Sequence, residues 1–207
     1  MSFDPRGRPH WNKEKRPVTL ATRIPNRQMS SMKILLLGPT KAGKSAIATY
    51  LGETGDWEAC ETYRPTKGVR IIDFESREEG GYKNIVELEL WDCSGDQKYK
   101  DCWTAMKDDV TAVILVADPD SNSADDLLPW YNEFVQKTGI SNENVFVLLN
   151  EKGDRSTNQE NIAAFKLIKD VRYLAINLRH EGDILRENVN SFILRARGSG
   201  QVSDRYE

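Results

Sequence analysis

Two glycines, a lysine and a hydroxyl stand at fixed spacing in Gly38-Pro39-Thr40-Lys41-Ala42-Gly43-Lys44-Ser45. Gly-x-x-x-x-Gly-Lys-Ser is the pattern of a loop that wraps phosphate. Backbone N–H groups and the N-terminus of a following helix present positive potential to phosphate oxygens. Gly38 and Gly43 permit the close backbone approach this needs. Lys44 adds a point charge at the terminal phosphates, and the Ser45 hydroxyl is a ligand for Mg²⁺. The flanks agree with the motif. Ile34-Leu35-Leu36-Leu37 reads as a short buried strand, and Ala46, Ile47, Tyr50 and Leu51 follow at helical spacing. A chance glycine turn with a surface lysine would not require those neighbours. Residues 38–46 are therefore expected to bind a nucleotide phosphate chain.

The elements that must position this loop alternate along the chain. Strands are expected at 33–37, 68–75, 84–92, 111–117, 144–149 and 172–177, with helices at 44–52 and 158–169. In 84–92, Ile85, Glu87, Glu89 and Trp91 share one face and Val86, Leu88 and Leu90 the other. With Gly80-Gly81 between them, 68–75 and 84–92 read as an antiparallel pair at a sheet edge. Thr-Ala-Val-Ile-Leu-Val-Ala at 111–117 is continuously apolar, as a central parallel strand is. Leu127, Leu128, Trp130, Tyr131, Phe134 and Val135 form one helical stripe. Ile184, Leu185, Asn188, Val189, Phe192 and Ile193 form the face of a last helix, which Gly198-Ser199-Gly200 is expected to end. The sum is an α/β fold, a six-stranded mostly parallel sheet with helices on both faces. In such sheets ligands sit at the carboxyl ends of the strands, where Gly38, Asp92, Asp118 and Asn150 fall.

Composition sets the outer limits. The 207 residues, 39% hydrophobic, suit one α/β domain, expected at 32–197, with a loose tail at 198–207. No apolar run approaches the length of a membrane span. Three cysteines, Cys60, Cys93 and Cys102, make no disulfide framework and point to a reducing compartment; with only His10 and His180 they make no metal cluster. Residues 1–33 carry eight Lys/Arg against Asp4 and Glu14, about +6, leaving 21 basic and 30 acidic residues, about −9. Pro5, Pro9, Pro17 and Pro25 break any helix there, so 1–31 reads as a basic, disordered arm without the apolar core of a secretory signal. Phe3 and Trp11 alone give it little aromatic character for nucleic acid, and no nucleic-acid partner is expected.

Two further stretches narrow the class. Arg64-Pro65-Thr66-Lys67-Gly68 precedes the second strand, and Trp91-Asp92-Cys93-Ser94-Gly95-Asp96-Gln97-Lys98-Tyr99 ends the third. They resemble switch I and switch II of Ras-superfamily small GTPases, the second most like the Rab branch. Thr-x-Gly-Val-Arg-Ile at 66–71, Glu-Leu-Trp-Asp-Cys at 89–93, Cys102-Trp103, Trp130-Tyr131 and Phe134-Val135 resemble the Rab-like small GTPases of the intraflagellar transport B complex. The likeness covers about residues 32–197 and implies the P-loop small-GTPase fold with GTP or GDP and Mg²⁺ as cofactors. It implies that Ser45, Thr66 and Asp92 serve the metal, and that Thr66 and Gly95 meet the γ-phosphate, with Cys93, Ser94 and Asp96 lining the same site. Loss of that phosphate would free both loops. The implied partners are coiled-coil proteins of the transport complex, and the implied location is the cytoplasm and the cilium or flagellum with its basal region.

The chain departs from the family pattern at five places. Asp96 occupies the position of the water-orienting glutamine, with Gln97 displaced by one. An ionised aspartate accepts but cannot donate. Thr40 stands where many relatives have glycine and would crowd an attacking water. No residue is therefore assigned a catalytic role, and hydrolysis is expected to be slow or absent. At the base site, Asn150-Glu151-Lys152-Gly153-Asp154 keeps Lys152 to pack on the base and Asp154 to accept guanine N–H groups. Glu151 replaces the donor of the family motif, and Asn150 is the neighbouring donor able to reach across. The Ser-Ala-Lys loop of relatives has no evident counterpart near Ala175-Ile176-Asn177-Leu178. The final Val-Ser-Asp-Arg-Tyr-Glu has no cysteine, so a monomer held by a protein assembly rather than a lipid anchor is expected. A cycling GTPase and a pseudo-GTPase scaffold remain the alternatives. A P-loop kinase would want an arginine-rich lid, and 118–122 offers none.

Overall fold

The structure is a computed structural model and describes residues 31–55, 64–77, 85–153, 159–166 and 170–200. The basic arm up to residue 30, the turn at 78–84, Asp154 and the last seven residues lie outside the described residues.

Six strands form one sheet: β1 (Met32–Leu37), β2 (Val69–Arg77), β3 (Ile85–Cys93), β4 (Val110–Ala117), β5 (Val145–Asn150) and β6 (Arg172–Ile176). Their order is β2-β3-β1-β4-β5-β6. β2 and β3 pair antiparallel and every other neighbouring pair is parallel. Of the antiparallel pair, expected together at a sheet edge, only β2 is an edge strand; β3 lies between it and β1, where Val86, Leu88 and Leu90 are buried.

Alternation along the central strands feeds two cores. Ile34 and Leu36 face α1 (Lys44–Leu51) and α5 (Leu178–Gly200), with Ile114, Leu148, Leu185, Val189 and Phe192. Leu35 and Leu37 face the other side, with Trp103, Trp130, Phe134 and Val147. Each fully buried aliphatic side chain contributes about 1.5–3 kcal/mol. All six residues of β1 and of β5 are buried, which explains the apolar runs Ile34–Leu37 and Val145–Leu149 within them.

The helical stretches are less regular than their spacing predicts. The Leu127–Val135 stripe is a 3₁₀ turn (Ala124–Leu127), α3 (Leu128–Tyr131) and a π turn (Asn132–Gln136). The wide last turn still buries Trp130, Phe134 and Val135 together. A 3₁₀ turn (Gln97–Cys102) leads into α2 (Trp103–Met106), and α4 covers Gln159–Ala164. α5 is described as far as Gly200, so it takes in Gly198 and Ser199, which the sequence reading placed in the tail. Its buried stripe is Leu185, Val189, Phe192, Ile193 and Ala196, while Ile184 is 45% exposed, one position off the stripe. Among the described residues no helix is long and apolar enough to cross a membrane.

Candidate functional site

β1 ends in the glycine loop and α1 begins at Lys44, so strand and helix fix both ends of the loop. Gly43 has φ 100°, and a Cβ there would lie 2.1 Å from Asn150 Nδ2, so only glycine fits. The Lys44 ammonium donates to the carbonyls of Gly38 at 2.8 Å and Pro39 at 2.6 Å, lying across the loop. Lys44 is 6% exposed, and burial pushes its pKa down to about 8, against the opposing pull of Asp92. A buried lysine held among carbonyls in this way is a ready counter-charge for phosphate.

Next to it lies an oxygen cluster. Ser45 Oγ is 2.7 Å from Thr66 Oγ1, and Thr66 Oγ1 donates to Asp92 Oδ2 at 3.3 Å. The Asp92 side chain is fully buried, and its Oδ1 has no hydrogen-bond partner. Burial raises the carboxyl's pKa; the Ser45 hydrogen bond, then Arg70 and Lys44, pull it the other way. Two hydroxyls and a carboxylate with an unused buried oxygen are the hard-oxygen set that Mg²⁺ takes alongside phosphate oxygens and water. The residues fit that ion. Among the described residues no cluster of three His, Cys, Asp or Glu competes as a metal site.

The stretch after β3 is tied to both loops. Ser94 N–H donates to Gly68 O at 2.8 Å, joining it to the segment that carries Thr66. A Cβ on Gly95 would lie 2.5 Å from Pro39 C and Thr40 N, so this glycine rests on the phosphate loop. Asp96 turns away: it caps the 3₁₀ turn by accepting from Lys98 N–H at 3.0 Å and pairs with the Lys98 ammonium at 2.7 Å. Cys93 is buried, its thiol pushed up to about 12 by burial and Asp92, which makes it a neutral wall. The following α2 is anchored by Trp103, whose ring centroid lies 4.7 Å from Trp130 and 5.2 Å from Phe134.

A cleft of about 940 Å³ runs from the oxygen cluster to the end of β5. Of the residues expected to bind nucleotide, Lys41, Gly43, Lys44, Ser45, Ala46 and Thr66 line it, as do 93–95 and 150–152. Gly38, Pro39, Ala42 and Asp92 lie behind that lining, Thr40 and Asp96 do not reach it, and Asp154 lies outside the described residues. Asn150 does not reach across to stand in for Glu151: it is 4% exposed and donates to Ala42 O at 3.1 Å, inside the phosphate loop. Lys152 donates to Lys41 O and lies 3.1 Å from Asp118 Oδ2. The segment after β6 contributes more than the sequence suggested. Asn177 Nδ2 donates to Gly153 O at 2.9 Å, and Asn177, Leu178 and Arg179 close this end of the cleft.

Sequence reasoning missed Asp118 as a partner of Lys152. It also missed the cations Arg64, Lys67, Arg70 and Arg179 that line the cleft. Arg70 was legible as part of the 66–71 motif, but its place opposite Asp92 needs the β2–β3 register.

A phosphate loop after the first strand, at the carboxyl edge of this strand order, defines a P-loop nucleotide-binding domain. A protein-family model described as "Roc: Ras of Complex, Roc, domain of DAPkinase" matches residues 33–154. "Intraflagellar transport associated protein 2" of Caenorhabditis elegans is 39% identical, over 78% of this chain and 77% of that one. "Intraflagellar transport protein 22 homolog" of Danio rerio is 30% identical, over 80% and 89%. The chain thus belongs to the intraflagellar transport protein 22 family of Rab-like small GTPases. Two solved structures share its fold. "T. brucei IFT22/74/81 GTP-bound crystal structure" has TM-score 0.67 at 22% identity and covers 83% of this chain and 98% of that one. "T. brucei IFT22 GDP-bound crystal structure" has TM-score 0.61 at 23% identity, with 81% and 97% covered.

Proposed function

We propose that this chain is a GTP-loaded binding module of the intraflagellar transport B complex, acting in assembly of the cilium or flagellum. One observation carries the reading: Ser45, Thr66 and Asp92 converge beside Lys44, although they come from three separate segments of the chain. Thr66 rides on the segment tied to Ser94, so a ligand that orders Thr66 also orders the stretch after β3. Mg²⁺ bound there would neutralise phosphate charge. Lys44 would meet the terminal phosphates, and Lys152 with Asn177-Leu178-Arg179 would flank the base.

Slow hydrolysis follows from the same geometry. Asp96 is spent on Lys98 and on capping a turn, so no side chain at its position orients a water. The GTP-bound T. brucei IFT22/74/81 structure supports partners of the same kind; in this reading they are a pair of coiled-coil transport proteins that hold the chain as a monomer in a larger assembly, in the cytoplasm and the cilium. Nucleic acid has no part in this reading.

The test is titration of the full chain with fluorescent GTP, GDP and ATP analogues, with and without Mg²⁺. Each loaded form is then passed over the counterparts of IFT74/81. Guanine preference, a Mg²⁺-dependent gain for the triphosphate and retention of the GTP form support the reading. Equal binding of ATP and GTP with no γ-phosphate effect overturns it and leaves a scaffold.

A further inference from the structure

The metal site carries a feature that three oxygen ligands do not need. Arg70 stands directly opposite Asp92 in the β2–β3 register. Its Nη2 lies 3.3 Å from Asp92 Oδ2 and donates at 3.0 Å to both Ser45 O and Thr49 Oγ1. The guanidinium is therefore held by α1 at one side and the buried carboxylate at the other. It sits on the same oxygen, Oδ2, that Thr66 contacts. Its side chain is 43% exposed while that of Asp92 is fully buried, so the arginine can leave toward solvent and the carboxylate cannot.

Two electrostatic consequences point the same way. A buried carboxylate without a counter-charge is costly, and Arg70 supplies that charge from within the chain. A divalent ion arriving at Asp92 meets the like charge of the guanidinium a few ångströms away. Both raise the free energy of the metal-loaded state relative to the metal-free one.

We propose that Arg70 is a tethered counter-ion of the metal site: it stands in for Mg²⁺ on Asp92 and thereby weakens Mg²⁺ binding and softens the dependence of nucleotide retention on the metal. The inference rests on the reading of Ser45, Thr66 and Asp92 as the Mg²⁺ site. Arg70 acts through Asp92 and is a positioning residue, not a ligand of the metal.

The test compares full-length wild type, Arg70→Gln and Arg70→Lys. Mn²⁺, used as a spectroscopic probe in place of Mg²⁺, is titrated into each protein loaded with GDP. Release of a fluorescent GDP analogue is then followed with and without chelator. Arg70→Gln should bind Mn²⁺ about tenfold more tightly, and chelator should accelerate its nucleotide release by a correspondingly larger factor. Arg70→Lys keeps the charge and should stay near wild type. Damage to the fold alone would weaken metal binding, the opposite sign. Unchanged or weaker Mn²⁺ binding in Arg70→Gln, or an equal gain in Arg70→Lys, overturns the proposal. A wild type that binds nucleotide with no Mn²⁺ effect at all instead overturns the metal-site reading beneath it.

Discussion

The carboxylate of Asp118, at the end of β4, lies 3.1 Å from the ammonium of Lys152, after β5. Asp118 is itself held: Oδ1 accepts from Asp120 N–H and Oδ2 from Ser121 Oγ, each at 3.1 Å. A rigid acid on one strand end thus sets the direction of a flexible lysine on the next. Asp118→Asn keeps most of these hydrogen bonds and removes the charge. It should weaken GDP binding by roughly tenfold through misplacement of Lys152, with little change in the Tm of the nucleotide-free protein. Calorimetric titration beside a melting curve checks both halves.

Asn150 joins the same strand edge to the phosphate loop. Its amide is buried on Ala42 O, and Asn150→Ala leaves that carbonyl unpaired beside a new void. The expected cost is about 1–3 kcal/mol, read as a fall of several degrees in Tm. Because the void opens against Gly43, GDP affinity should fall with it. A variant with wild-type stability would show that the contact is idle.

Hydrolysis should be recoverable. Asp96→Gln frees the position from its ion pair with Lys98 and restores a donor, and Thr40→Gly clears the loop that Gly95 rests on. The double variant should raise single-turnover GTP hydrolysis by roughly tenfold or more over wild type. Equal rates would place the block elsewhere.

Acid sensitivity has an identifiable source at Glu133, outside the cleft. Glu133 takes hydrogen bonds from Lys107 and Lys137, which hold its carboxyl below the ordinary 4.5. A lowered folded-state pKa means the unfolded chain takes up the proton first, so this stabilisation is present above 4.5 and fades as pH falls through the depressed value. Glu133→Gln should therefore melt below wild type at neutral pH, and the gap should close in acid. Melting curves across that range read it directly.

Local pattern was enough for much of the molecule. Ile34–Leu37 and the 111–117 run announce central strands because both faces of a parallel strand are buried. Gly38 to Ser45 announces its own chemistry because the motif is contiguous. Irregular helix was not legible at 124–136, since apolar spacing is the same whether the last turn is α or π. Nor was the end of α5, where two glycines continue as helix.

By itself the sequence determined the glycine loop between its strand and helix and the succession of the six strands along the chain. These follow from contiguous residues whose periodicity and type act locally. The tertiary structure alone decided the pairings across the chain: Arg70 with Asp92, Asp118 with Lys152, and Asn150 with Ala42, 108 residues away. Each depends on the register and order in which strands lie side by side. That register is set by packing two cores at once, a property of the assembled sheet that no single segment carries.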